Sequence, residues 1–168
     1  MPTARKRSTR RSPKGTPGAP MAAATKVAEP SVVHRYARVI GLPPTDALTL
    51  HSAVKRGVPY GALRQFQTAF GLNQATVRRL VQISESTLAR RRARGRLESA
   101  ESDRLLRMTR IFDLAVATFD GDVAEARGWL SRPQRVLGGA RPEELATTEV
   151  GAQEVERALL RIEHAVFA

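Results

Sequence analysis

The sequence predicts an all-α protein, two small helical units behind a disordered basic tail. Three observations carry that expectation. From about residue 31 onward the apolar residues recur at three- and four-residue spacing, with no alternating strand pattern. Most of these stretches open on Asp, Asn, Ser or Pro and close on Gly or Pro, the punctuation of capped helices. Residues 1–30 are rich in Arg, Lys, Pro, Gly, Ser, Thr and Ala, and hold too little apolar surface to order themselves. That tail reads as a solvated segment, as a basic arm along phosphates or as a targeting stretch. Met21 is an alternative start.

Taken in order, Asp46 caps a helix that Gly57 ends. Pro59 suits the first position of the next helix, which carries Leu63, Phe66 and Phe70 and closes at Gly71. Asn73 caps a helix with Val77, Leu80 and Val81. After Ile83, Ser84 caps another from Glu85 to Arg94, stopped by Gly95. A short linker, Gly95 to Ser99, divides a first unit (31–96) from a second (97–168). Ser99 starts the longest helix, whose Glu101 and Asp103 suit the positive end of its dipole. Its inward stripe is Leu105, Met108, Phe112, Ala115, Val116 and Phe119. Asp120-Gly121 breaks it. A short helix with Val123, Ala126, Trp129 and Leu130 runs to Pro133, the Leu137-Gly138-Gly139 turn follows, and Pro142 starts a further helix. The last helix begins near Glu149 and turns Val155, Ala158, Leu159 and Ile162 inward. Trp129, Phe112 and Phe119 sit on these stripes and are read as core rather than as a ligand pocket.

The charge is unevenly spread. Residues 31–96 hold twelve Lys/Arg against two acids, whereas residues 97–168 hold nine Arg against thirteen acids. A basic front and a mildly acidic back imply two different partners, the front one a polyanion such as nucleic acid. Without cysteine there is neither disulfide nor thiolate chemistry, which suits the cytoplasm. No apolar run approaches the ~20 residues that span a bilayer, and MPTARKRSTRR has no hydrophobic stretch behind it to make a secretory signal.

Catalysis finds no support. His34, His51 and His164 lack metal-ligand spacing, Gly138-Gly139 is no phosphate loop, and Glu163-His164 lies at a chain end without an enclosing site. The expectation is a non-enzyme with neither cofactor nor metal.

Residues Asn73 to Gly95 instead have the layout of a helix-turn-helix. The second helix offers Glu85, Ser86 and Thr87 to bases, and Arg90, Arg91, Arg92 and Arg94 to phosphates. Gln82 stands where the turn usually has Gly, and Arg78 where the helix crossing usually has a small residue. At the other end, Val166 and Phe167 are apolar residues where chain ends normally fray. Either Phe167 folds back on the chain's own core, or the tail inserts into a partner.

Six stretches, in order and in register over roughly residues 60–168, resemble antitoxins of the Xre/MbcA/ParS family. They are Ile83-Ser84-Glu85-Ser86-Thr87-Leu88, Gly95-Arg96-Leu97, Glu101-Ser102-Asp103-Arg104-Leu105-Leu106, Ala126-Arg127-Gly128-Trp129-Leu130, Leu137-Gly138-Gly139 with Pro142-Glu143-Glu144-Leu145, and Arg161 to Ala168. The resemblance implies an Xre-like helical domain that dimerises and often binds its own promoter, followed by a toxin-binding domain. It also implies a RES-domain toxin that consumes NAD, held inactive by the antitoxin's C-terminal end. On that reading Arg161, Glu163, His164, Val166, Phe167 and Ala168 are toxin-binding residues. Ala165 stands where members commonly have Gly. The basic tail lies outside the resemblance. A stand-alone dimeric DNA-binding regulator is the alternative.

Overall fold

The computed structural model describes residues 32–43 and 46–166. The expectation of a disordered tail over residues 1–30 falls outside them. The helices are α1 (Val32–Val39), α2 (Ala47–Arg56), α3 (Tyr60–Ala69), α4 (Gln74–Val81), α5 (Glu85–Arg94), α6 (Ser99–Thr118), α7 (Val123–Ser131), α8 (Pro142–Leu145) and α9 (Glu149–Val166), with a 3₁₀ turn at Arg135–Leu137 before α8. Among the described residues there is no strand, only one isolated bridge between Pro59 and Arg96.

The caps are where the side chains demand them. Asp46 accepts from Thr49 N at 2.9 Å, Asn73 from Thr76 N at 2.8 Å and Ser84 from Thr87 N at 3.2 Å. Pro59 is one place earlier than expected, as the residue before α3. Its position is fixed by pairing: Tyr60 N donates to Gly95 O and Leu97 N to Val58 O, each at 2.9 Å. Gly57 beside this ladder has φ +80°, and a Cβ there would lie 2.0 Å from Leu97 O. The segment expected to be a linker is therefore a packed joint.

A single core runs through the chain from Tyr36 to Leu159. Its axis is α6, which packs against α1, α2, α4, α7 and α9. Leu105, Met108, Phe112 and Ala115 are buried as expected, while Val116 and Phe119 are only partly so. Ile111 and Leu106 join them, and so do the polar Glu101, Ser102 and Thr109. The stripe is wider than one face because neighbours surround this helix. Its buried hydroxyls are satisfied locally: Thr109 Oγ1 donates to Leu105 O at 2.7 Å, and Ser102 Oγ to Glu98 O at 2.8 Å. Phe66, Phe70 and Phe112 form a ring cluster with centroids 5.1–5.5 Å apart, and Trp129 packs against Phe119 at 6.2 Å.

The turn between α4 and α5 carries the cost foreseen in its sequence. Gln82 caps α4 in the left-handed conformation, φ 55° and ψ 50°, which disfavours any residue with a Cβ by about 1–2 kcal/mol. Part of the gain from glycine is returned through its freer unfolded chain. Gln82→Gly is expected to raise unfolding stability by about 1 kcal/mol, read from urea denaturation. An unchanged or lowered midpoint would show that the Gln82 side chain compensates for its backbone.

Candidate nucleic-acid interface and C-terminal helix

α4 and α5 meet through the Gln82 turn, and the inward positions of α5 are Leu88 and, one turn on, Arg91. This leaves Glu85, Ser86, Arg90, Arg92 and Arg94 exposed and Thr87 half-buried. Thr87 Oγ1 accepts from Ser84 Oγ at 2.9 Å and from Arg90 at 3.3 Å, so the start of α5 is held by its own polar side chains. Arg92, Glu85 and Ala89 border an open hollow of about 520 Å³, closed on its other side by Tyr60 and Gln74. Arg64 and Gln67 of α3 line the adjoining hollow. These α3 and α4 residues were not singled out in the sequence, because only folding brings α3 alongside α5.

Arg78 fits the helix crossing by reaching outward, its guanidinium 3.3 Å from Glu85. Its Nε is buried without a hydrogen-bond partner among the described residues. The pair takes Glu85 away from the free polar set, since its carboxylate is already engaged by an arginine.

Arg91 requires a correction. Grouped by sequence with the phosphate-reaching arginines, its side chain is only 5% exposed and lies against Glu101 at 2.8 Å and Glu98 at 2.6 Å. The spacing from Leu88 turns it inward, so its charge is consumed inside the protein. The hydrogen bond to Glu101 chiefly holds the Arg91 guanidinium above its ordinary pKa, against the opposing effect of burial. For Glu101, burial pushes the carboxyl upward, but the Arg91 bond and the Glu98 N–H outweigh it and leave the pKa lowered. The same carboxylate thus closes the capping box of α6 through Glu98 N at 2.8 Å.

A second network ties α6 to α9. Glu149 accepts from Arg107 at 3.1 Å and Arg110 at 2.9 Å, and Arg110 also meets Glu156 at 2.7 Å. Burial would raise the Glu149 pKa, yet the two arginines hold it below the ordinary value. Beyond this network α9 buries Ala152, Val155, Ala158 and Leu159, and Ile162 is half-buried. Arg161 and Glu163 are exposed, with Arg161 Nε donating to Arg157 O at 3.3 Å. His164 and Val166 belong to the helical backbone, whereas Phe167 and Ala168 lie outside the described residues. No cluster of potential metal ligands and no helix long and apolar enough to cross a membrane occurs among the described residues.

Because Glu101 and Glu149 have lowered folded pKa values, their contribution is complete above the ordinary carboxyl range, about 4.3. It is lost as pH falls through the lowered folded values. Glu101→Gln is expected to destabilise the protein at neutral pH, since it leaves Arg91 with Glu98 alone as counter-charge. The variant should also lose less further stability on acidification. Denaturant titrations from neutral to acid pH check both, and parallel pH profiles for the two proteins would contradict the assignment.

The antitoxin Xre-like helix-turn-helix domain matches residues 49–110, and the antitoxin Xre/MbcA/ParS C-terminal toxin-binding domain matches residues 114–165. An antitoxin Xre of Yersinia enterocolitica is 36% identical over 132 residues, covering 78% of this chain and 89% of that relative. One of Photorhabdus laumondii is 32% identical over 132 residues with the same shares, 78% and 89%. One of Pseudomonas putida is 42% identical over 62 residues, 37% of this chain and 38% of the relative. A capped helix-turn-helix joined through α6 to a matching toxin-binding half, with two relatives alike over most of their length, places this chain in the antitoxin Xre family, as the non-catalytic antitoxin of a toxin–antitoxin pair.

Proposed function

We propose that this antitoxin neutralises a RES-type, NAD-degrading toxin by placing its C-terminal end in the toxin's active site, and represses its own operon in the cytoplasm as a homodimer bound to operator DNA. The observation that carries the reading is the division of the surface. α5 leaves Ser86, Arg90, Arg92 and Arg94 exposed, with Arg94 pairing to Glu98 at 3.5 Å, while α9 buries Leu159, half-buries Ile162 and leaves Arg161 and Glu163 exposed. In sequence the residues after Ile162 include Val166 and Phe167, and burying a Phe side chain in a partner is worth roughly 1.5–3 kcal/mol. An NAD-binding cleft must hold anionic phosphates and an aromatic base. Arg161 suits acids at its rim, and Phe167 suits its interior.

The neighbouring reading frame should be toxic alone and harmless beside this chain. Toxin NAD consumption should be inhibited by the full antitoxin and poorly by a chain ending at Ile162, with thermal melts of the two coinciding. Full inhibition by the shortened chain would show that the tail is dispensable. A collapsed melt would show that Phe167 belongs to its own core. On promoter DNA, Arg90→Gln should lower the slope of log affinity against log salt by about 1, as one phosphate contact is lost. An equal slope would remove Arg90 from the interface.

A further inference from the structure

The C-terminal half is acidic overall, yet its charge is segregated. Residues 126–142 contain Arg127, Arg132, Arg135 and Arg141 and no Asp or Glu. This basic stretch folds against the start of α4. Arg127 NH1 donates to Gly71 O at 2.7 Å, a neutral acceptor that leaves its charge uncompensated. Arg79 meets Glu143 at 2.6 Å across the same junction. Between them lies an open hollow of about 420 Å³ lined by Asn73, Thr76, Arg79, Arg127, Ser131 and Arg141. The acids present are Glu143, buried under Arg79, and Glu144, shared between Arg141 at 3.4 Å and Arg79 at 4.0 Å.

We infer that this arginine-lined hollow is a second phosphate-binding site, through which the toxin-binding half holds the DNA backbone beside the helix-turn-helix. The inference rests on the DNA-binding reading above and extends it to residues outside the helix-turn-helix. In that motif the first helix, here α4, crosses the sugar–phosphate backbone while the second enters the groove. The first turn of α4 is shared between two hollows. Gln74 borders the one against α5, and Asn73 and Thr76 border the one against Arg127 and Arg141. A strand leaving α5 over the start of α4 therefore arrives at the arginines of α7 and of the approach to α8. Arginine forks, a threonine and a serine are the groups that hold phosphate oxygens without reading sequence. An acidic face of the toxin is the competing occupant. The shared first turn of α4 favours DNA.

The test uses the full chain, with a duplex carrying the DNA immediately upstream of its reading frame and a random duplex of equal length. Arg127→Gln with Arg141→Gln should lower the log–log salt slope by about 2 on both duplexes, about 1 per arginine. Toxin co-purification should be unaffected. Since Arg127 also ties α7 to Gly71, melts accompany the titrations. If Arg127→Gln unfolds the chain, Arg141→Gln alone carries the test, with the slope lowered by about 1. An unchanged slope in folded variants overturns the inference while leaving helix-turn-helix binding intact. Loss of toxin binding with an unchanged slope assigns the hollow to the toxin. Failure of the unsubstituted protein to shift either duplex at low salt overturns the DNA-binding reading itself, and this site with it.

Discussion

The contact between Arg91 and Glu101 determines where α5 stands relative to the rest of the protein. Buried charges are stable only when paired and hydrogen-bonded, so the pair allows few positions of α5 against the start of α6. The carboxylate also fixes the first turn of α6 by accepting from Glu98 N. Ser102, one residue on, accepts from Val58 N at 2.9 Å and so anchors the joint before α3. One turn of helix thereby sets α5, α3 and α6 in a common frame. α6 then carries that frame into the C-terminal half, where Arg107 and Arg110 grip Glu149. The boundary between the two matched domains falls inside this helix, between residues 110 and 114. Neither half has a core of its own that stops there.

What depended on local chemistry was legible in the sequence. Asp46, Asn73 and Ser84 cap helices because their oxygens reach amides three residues on, and nothing distant is needed to decide it. The four breaks between helices from Gly57 to Gly95 were readable for the same reason. The width of α6's buried surface was not, because Glu101, Ser102 and Thr109 look solvent-facing until their partners are known. Arg91 was misjudged by composition, which counts it with Arg90 and Arg92 as one basic run. Its spacing of three from Leu88 was the signal that it points inward. Contacts such as Arg79 to Glu143 and Arg127 to Gly71 join residues 64 and 56 positions apart, and no local pattern encodes them.

The arrangement has a functional consequence. Arginines are used here in two ways that a charge count cannot separate. Arg91, Arg107 and Arg110 are internal struts, each facing carboxylates, and they hold the halves in a fixed relation. Arg90, Arg92 and Arg94 stay on the surface of α5. On the function proposed above, DNA would meet the surface arginines of a body whose halves the internal ones hold together.

That rigidity is measurable, because the single tryptophan, Trp129, lies in the C-terminal half. Urea unfolding followed by Trp129 fluorescence reports that half alone, whereas far-ultraviolet circular dichroism reports every helix. The shared core of α6 predicts coincident transitions with one midpoint and one slope. A fluorescence transition separated from the dichroism transition would show two independently folding domains, and would contradict the account.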